Sequence, residues 1–343
     1  MVCMTTSAQP TVSITLCTYN GTDYLPTQWQ SLLSQQQLPD EVVICDDLST
    51  DGTLDLLEQL AAEAPFPVRI LKNPVRMGST KNFERALSEC TGDLIFCCDQ
   101  DDCWLPEKIS TFTQYMVKHA GVLVSFCDAW VMDESLKDRR GRFWDVVRFD
   151  KRAQTRWLSG EMMDVMLDGN RVMGCAMVIR RSFLQTVLPI PTDVPGYIYD
   201  GWIALVAAAL NAIHFIDQPL QLYRTHAQQQ IGVREQIPSV PVRLWNRFTR
   251  QRNGKLIPLQ HKQAQLIQIN RLLGDRISAD APGFPQLHRR LVHFTMRSRL
   301  PSNRLSRLWP VLKSLGQGNY TRYADASANW YAPYLAVLGD ILE

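Results

Sequence analysis

A rhythm in the first 130 residues constrains this chain more than any other feature. Short runs of β-branched and apolar residues alternate with segments whose apolar side chains recur at helical spacing. VSITLC (Val12–Cys17), EVVICD (Glu41–Asp46), VRIL (Val68–Leu71), DLIFCC (Asp93–Cys98) and VLVSFC (Val122–Cys127) read as strands. Between them, Asp23–Ser34 sets Leu25, Trp29, Leu32 and Leu33 on one helical face, and Thr53–Glu63 does the same with Leu56, Leu57 and Leu60. Ser79 can cap a helix running to about Cys90, and Glu107–His119 is helical in pattern. DLIFCC is continuously apolar, as a strand covered on both faces must be. Strands joined by helices of this length form βαβ units and a mainly parallel sheet wrapped by helices. Ligands of such sheets bind at the carboxyl ends of the strands.

The pattern weakens from Asp128 to Arg156, where charges cluster, and predicts a loop-rich insertion near the site. A helix (Ser159–Asp168), a strand (Cys175–Arg180), a Pro-rich loop (Pro189–Pro195), a helix (Gly201–Leu210) and two strands, IHFID and LQLYR, follow. Beyond about Pro241 the chain reads as helical and basic, and no internal repeat is present. The apolar share of 45% and charged share of 20% exclude disorder, collagen and coiled coil. The longest apolar run, Trp202–Ile216, is broken by Asn211 and His214, short of the roughly 18 residues of a membrane span. MVCMTTSAQP has neither a basic n-region nor an apolar h-region, so no secretory signal is expected. Nine cysteines without CxxC or zinc spacing, several in apolar runs (Cys17, Cys45, Cys97, Cys98), predict buried thiols in a reducing cytoplasm.

Three strands end in polar or acidic loops on what should be one sheet edge: Thr18-Tyr19-Asn20-Gly21, Asp46-Asp47 and Asp99-Gln100-Asp101-Asp102. Carboxylates gathered at the mouth of an apolar sheet repel one another, and a hard divalent cation relieves that repulsion. Mg²⁺ or Mn²⁺ is typically held by one or two carboxylates together with ligand phosphates. A solvated turn is the competing explanation for DQDD alone.

The motifs VSITLCTYNG, EVVICDDLSTDGT, NPVRMGSTKNFERAL, GDLIFCCDQDDCWLPEKI, GCAMVIRR, YDGWIAL and PLQLYRTHAQQQIG stand in the order found in glycosyltransferase family 2. The chain resembles that family, the inverting nucleotide-sugar transferases of GT-A fold, from about Thr11 to Gly232. DQDDxW and the late YRxH look most like bacterial rhamnosyltransferases of polysaccharide assembly. The resemblance implies a Rossmann-like mixed, mainly parallel sheet flanked by helices, with a mostly helical C-terminal extension. It implies that Thr18, Tyr19 and Asn20 contact the nucleotide, and that Asp46 or Asp47 accepts a hydrogen bond from the pyrimidine or its ribose. Arg76, Lys81 and Asn82 would line the base and diphosphate. Asp99 and Asp101 match the DxD motif, with Asp101 the metal ligand and Asp99 nearer the ribose; Asp102 would support them or face the donor sugar. His226 would be a third metal ligand or a diphosphate contact, and Gly174 and Cys175 would sit beside the donor sugar. Asp200 matches the catalytic base, which takes the acceptor hydroxyl's proton. A helix N-cap is the competing role for Asp200, and capping would lower its pKa and weaken it as a base. Trp104 would either wall the sugar pocket or lie in the core. Leu48 replaces the glycine usual in DDGS, which argues against a left-handed turn there, and Gln230 stands where the branch often has Asn.

The charge is uneven. Residues 1–235 carry 20 Lys+Arg against 29 Asp+Glu, a net of −9, and residues 236–343 carry 16 against 5, a net of +11. This divides the chain into a catalytic domain, 1–235, and a basic, mostly helical region, 236–343. In the latter, stripes run through Leu259, Leu266, Ile269 and Leu273, then Leu287, Leu291 and Phe294, then Leu305, Leu308, Leu312 and Leu315, with Pro310 expected to kink the last. Two fates fit these helices: packing on the catalytic domain, or peripheral contact with a membrane surface at its inner, cytoplasmic face. No module for nucleic acid accompanies the charge, so none is expected as a partner. The whole predicts a metal-dependent glycosyltransferase using a dTDP- or UDP-linked donor and a glycan or lipid-linked acceptor. The alternatives are a non-catalytic nucleotide-sugar-binding or scaffold protein, and a nucleotidyltransferase.

Overall fold

The computed structural model describes residues 9–227, 229, 252–324 and 329–342. The expected 235/236 domain boundary, Gln230 and the end of the family-like segment at Gly232 lie outside the described residues. Nine strands form one mixed sheet: β1 (Val12–Thr18), β2 (Glu41–Asp46), β3 (Val68–Lys72), β4 (Leu94–Asp99), β5 (Cys103–Trp104), β6 (Val124–Met132), β7 (Arg139–Arg142), β8 (Met177–Arg180) and β9 (Ile213–Arg224). Their order is β3-β2-β1-β4-β8-β6-β9-β5, with β7 beside β6. The first four are mutually parallel, as is β6 with β9, while β8, β5 and β7 join antiparallel. Val12, Ile14 and Leu16 fill one face of β1, and Val42 and Ile44 join them from β2. Val43, Cys45, Ile95 and Cys97 pack on the opposite face, so both sides of the central strands are covered.

Two predicted regions come out differently. The stretch after Asp128 is not mainly loop: β6 runs on to Met132, β7 folds back against it, and helices Phe143–Val146 and Lys151–Leu158 follow. Buried Asp128 makes this possible by accepting hydrogen bonds from the side chain of Arg142 and from Trp144 N–H. IHFID and LQLYR are one twelve-residue strand, because the register shift against β6 near Asp128 absorbs the break that Asp217-Gln218-Pro219 seemed to impose.

The basic region packs on the sheet domain. Leu259, Leu266, Ile269 and Leu273 of helix Arg252–Gly274, and Leu287 and Phe294 of helix Phe284–Ser298, belong to the same core as Trp202 and Met166. Gly283 donates to Ala209 O at 2.8 Å, and a Cβ there would stand 2.5 Å from Ala209 Cα. Part of the charge asymmetry closes on itself: Arg322 reaches Asp164 (2.8 Å) and Glu161 (2.7 Å), and Arg290 reaches Asp168 (2.8 Å). Helix Arg304–Gly316 runs through Pro310 as a single element. With helix Ala332–Leu342 it forms a small separate core around Leu300, Val311, Tyr320 and Val337. No helix among the described residues is long and apolar enough to cross a membrane, and the eight described cysteines are free thiols, all buried except half-buried Cys103.

Candidate active site

The parallel order β2-β1-β4 puts three loop origins on one sheet edge, with Thr18 level with Asp46 and Cys17 level with Asp99. Asp46 is fully buried. Its carboxylate accepts hydrogen bonds from Thr18 Oγ1 (2.8 Å), Ser49 Oγ (2.5 Å) and Ser49 N–H (2.8 Å). These bonds close a turn in which Leu48 takes φ +66°, so the left-handed conformation persists without glycine, contrary to expectation. Asp47 accepts from Asn73 Nδ2 (2.9 Å), Met77 N–H (2.7 Å) and Gly78 N–H (2.9 Å). It therefore serves the amino end of helix Gly78–Glu89; Ser79 lies inside that helix and is not its cap. Both carboxylates face inward and each already meets three protein donors. Both therefore organise the loops at this sheet edge.

The neighbouring Thr18-Tyr19-Asn20 loop is held from two sides. The Gln100 side chain bonds both Tyr19 N–H (2.9 Å) and Tyr19 C=O (3.0 Å). Asn20, at φ +48°, donates its N–H to Ser49 Oγ (2.9 Å) and accepts from Thr50 N–H (2.9 Å). The Arg76 guanidinium lies 3.8 Å from the centre of the Tyr19 ring. Arg76 thus joins the predicted nucleotide loop, but Lys81 and Asn82 do not. Lys81 Nζ is bound by Glu84 (2.8 Å) and Ile190 O (3.0 Å), and buried Asn82 bridges Cys45 O (2.8 Å) and Asn73 (2.8 Å). Both side chains of helix Gly78–Glu89 are thus engaged with protein partners.

Asp99 closes β4, and Asp101 and Asp102 follow in the turn. Ligand atoms of Asp99, Asp102 and Cys175 lie within 4.8 Å of one another. Burial, with Asp101 beside it, pushes the Asp99 carboxyl up to about 7. Asp102 is pushed well above the carboxylate range by burial and then by Asp101 and Asp99. Asp102 also accepts from Gln221 Nε2 (3.1 Å) and Arg224 N–H (3.3 Å). Asp101 Oδ2 instead stands 2.8 Å from His226 Nε2. The His226 ring packs on Tyr24 with centroids 4.3 Å apart, and its buried Nδ1 has no hydrogen-bond partner among the described residues. Asp101 thus pairs with His226 and also acts on Asp99, which sits with Asp102 and Cys175, so the expected trio belongs to one cluster. Crowded buried carboxylates and one imidazole form a donor set that suits a hard divalent cation. The Cys175 thiol is pushed far up by burial, and a soft sulfur donor is a poor match for a hard cation.

Beneath this cluster lies a feature sequence reasoning missed. Lys108 is fully buried and donates to Cys175 O (2.6 Å) and Gln221 Oε1 (2.5 Å), its ammonium 3.7 Å from the centre of the Trp104 ring. Trp104 is accordingly core, 2% exposed.

Asp200 lies in the first turn of helix Tyr199–Ala209, whose N-cap position is Ile198, so Asp200 is not the N-cap. Its carboxylate accepts hydrogen bonds from Gly201 N–H, Asn170 Nδ2 (3.2 Å) and Gly174 N–H (3.0 Å). Burial outweighs these donors and pushes its pKa up to about 6. Gly174 admits no side chain, since a Cβ would stand 1.9 Å from Tyr199 Oη. The Gly174-Cys175 peptide joins the two carboxylate centres: one residue holds Asp200, and the next lies against Asp99 and Asp102. Gln100, Asn73, Asn170 and Gln221 complete the frame. Gln100, Asn73 and Gln221 stood inside conspicuous motifs and Asn170 in none, but neighbouring charges drew the chemistry away from these amides.

This sheet, with acidic loops on its carboxyl edge and a helical extension packed behind, is the GT-A architecture of nucleotide-sugar transferases. It aligns over 96% of this chain with Staphylococcus aureus TarS 1–349 in complex with UDP (TM-score 0.53, 14% identity, 88% of that chain). It also aligns over 97% with the mannosyltransferase PcManGT of Pyrobaculum calidifontis in complex with GDP-Man and Mn²⁺ (TM-score 0.50, 16% identity, 86% of that chain). The family model described as Glycosyl transferase family 2 matches residues 13–188, and the chain belongs to that family. Among curated relatives, the dTDP-rhamnosyl transferase RfbG of Shigella flexneri is 33% identical over 227 residues, 63% of this chain and 73% of that protein. The chain spans about three fifths (59%) of the length of the first curated relatives it matches.

Proposed function

We propose that the chain is a metal-assisted, inverting glycosyltransferase that moves L-rhamnose from dTDP-rhamnose to a glycan or lipid-linked acceptor in cell-surface polysaccharide synthesis. Residues 1–235 would form its catalytic domain and 236–343 a helical buttress. One observation carries the reading: Asp200, a buried carboxylate with a pKa near 6, is tied through Gly174-Cys175 to the acidic cluster of Asp99 and Asp102. The relative RfbG supplies the choice of donor.

In this reading Thr18, Tyr19, Asn20 and Arg76 receive the nucleotide, and Asp46 and Asp47 hold the loops that shape its pocket. Asp99, Asp101 and His226 would hold Mg²⁺ or Mn²⁺, with Asp102 in support. The cation's chemistry there is neutralisation of the charge that develops on the diphosphate leaving group. Asp200 stands ionised at neutral pH and accepts the acceptor hydroxyl's proton as that oxygen bonds to the anomeric carbon. The bond from the anomeric carbon to the diphosphate breaks in the same displacement, so configuration inverts. Gly174 and Cys175 would sit beside the donor sugar, with Tyr199 filling the space that a side chain on Gly174 would take.

The test is turnover of a panel of nucleotide sugars with Mg²⁺ or Mn²⁺ and short glycan acceptors, with the product's anomeric configuration read by NMR. The expected result is nucleoside diphosphate release with inversion, dTDP-rhamnose preferred. Pyrophosphate release from a nucleoside triphosphate, or donor binding without turnover, contradicts the proposal.

A further inference from the structure

Helix Arg304–Gly316 turns Arg307, Val311 and Ser314 inward. Its other side presents Leu305 (76% exposed), Leu308 (37%), Trp309 (76%) and Leu312 (51%) to solvent. The spacing i, i+3, i+4, i+7 makes this one continuous stripe. The partner helix Ala332–Leu342 and the turn before it add exposed Trp330, Tyr331 and Tyr334. A soluble surface does not leave a Leu-Trp stripe open without an occupant.

The charge of this part of the chain points to the occupant. Residues 281–324 contain eight Lys+Arg and no Asp or Glu. Arg290, Arg297 and Arg322 are consumed by ion pairs with Asp168, Asp340 and Asp164. Arg289, Arg299, Arg304 and Lys313 are exposed and make no ion pair among the described residues. Exposed leucines for the acyl boundary, Trp and Tyr for the headgroup level, and uncompensated cations are the three elements of an interfacial membrane anchor. We propose that the helix pair Arg304–Gly316 and Ala332–Leu342 docks on an anionic lipid surface, Leu305, Leu308, Trp309 and Leu312 entering the interface. A protein partner built for this patch would meet it with acidic side chains around an apolar groove. The aromatic belt favours lipid instead. The inference does not rest on the sugar-transfer reading, and its test does not use activity.

The experiment is co-sedimentation of the full chain with vesicles of phosphatidylcholine alone or mixed with phosphatidylglycerol, at low and high salt, beside size-exclusion chromatography. Binding is expected to the phosphatidylglycerol vesicles, to weaken as salt screens the cations, and to fall about tenfold or more in Leu305→Glu/Trp309→Glu. Both positions are largely exposed, so this variant should melt with the wild type, and Arg299→Glu/Arg304→Glu should show the same loss from the charge side. Failure of the wild-type chain to sediment with anionic vesicles overturns the proposal. So does a concentration-dependent dimer that Leu305→Glu/Trp309→Glu dissolves while vesicle binding is unchanged, which would assign the stripe to a second copy of the chain.

Discussion

Replacing Asp200 by Asn separates a catalytic role from a structural one, because the structure predicts opposite balances for the two. The carboxyl is raised from an ordinary 3.8 to about 6 by burial, so keeping it ionised at pH 7 costs the fold about 3 kcal/mol. The sign follows from proton binding. Between pH 4 and 6 the folded chain holds a proton here that the unfolded chain releases, so this group lowers stability as pH rises through that window. Asn removes that cost. It also sets an amide N–H against one of the donors Gly174 N–H, Asn170 Nδ2 or Gly201 N–H, a loss of about 1–3 kcal/mol. The two effects nearly cancel, and Asp200→Asn should unfold in urea within about 2 kcal/mol of wild type at pH 7. Turnover should fall about 10²–10⁴-fold, since an amide cannot take the acceptor's proton. Donor affinity by calorimetry should be unchanged. In the wild type, kcat should rise with pH through about 6 as Asp200 ionises, and residual turnover of the variant should lack that rise. Turnover within threefold of wild type, or a wild-type profile flat across pH 5–7, would refute the assignment.

Other changes follow from the same geometry. Asp101→Ala and His226→Ala should each weaken Mn²⁺-dependent nucleotide binding by about tenfold or more in calorimetry, while binding without the metal stays as it was. Gly174→Ala places a methyl 1.9 Å from Tyr199 Oη and should cost about 1–3 kcal/mol in denaturant unfolding. Leu48→Gly relieves a left-handed φ of +66° on an exposed side chain and should raise stability by about 1 kcal/mol or leave it level, since the unfolded chain gains freedom too.

The central strands were legible because a doubly covered parallel strand reads as an unbroken apolar run, and the order of such runs fixed which loops share an edge. The convergence of Thr18, Asp46 and Asp99 therefore came from residues 12–99 alone. What each side chain does there was less visible. Asp46 and Asp47 looked like ligands for a nucleotide, yet their partners Ser49, Asn73, Met77 and Gly78 are neighbours only once the loops close. The same holds for Lys108, which lies in a stretch read only as helical and is found buried against Cys175 and Gln221, residues 67 and 113 positions away. Asp217-Gln218-Pro219 looked like a break because turn chemistry is local, whereas the register shift that accommodates it depends on β6. The basic region divides: the stripes from Leu259 to Phe294 pack on the sheet domain, whereas the stripe from Leu305 to Leu312 faces water.

In the proposed mechanism, carboxylates from β4 and its turn gather one cation against a diphosphate. Anomalous diffraction at the manganese edge, from crystals grown with Mn²⁺ and dTDP, addresses this directly. The account predicts one strong peak in ligand contact with Asp101 and the diphosphate, with Asp99 facing it and Asp200 across the donor-sugar space. A peak lying away from Asp99 and Asp101, or nucleotide bound at full occupancy with no manganese beside it, would contradict it.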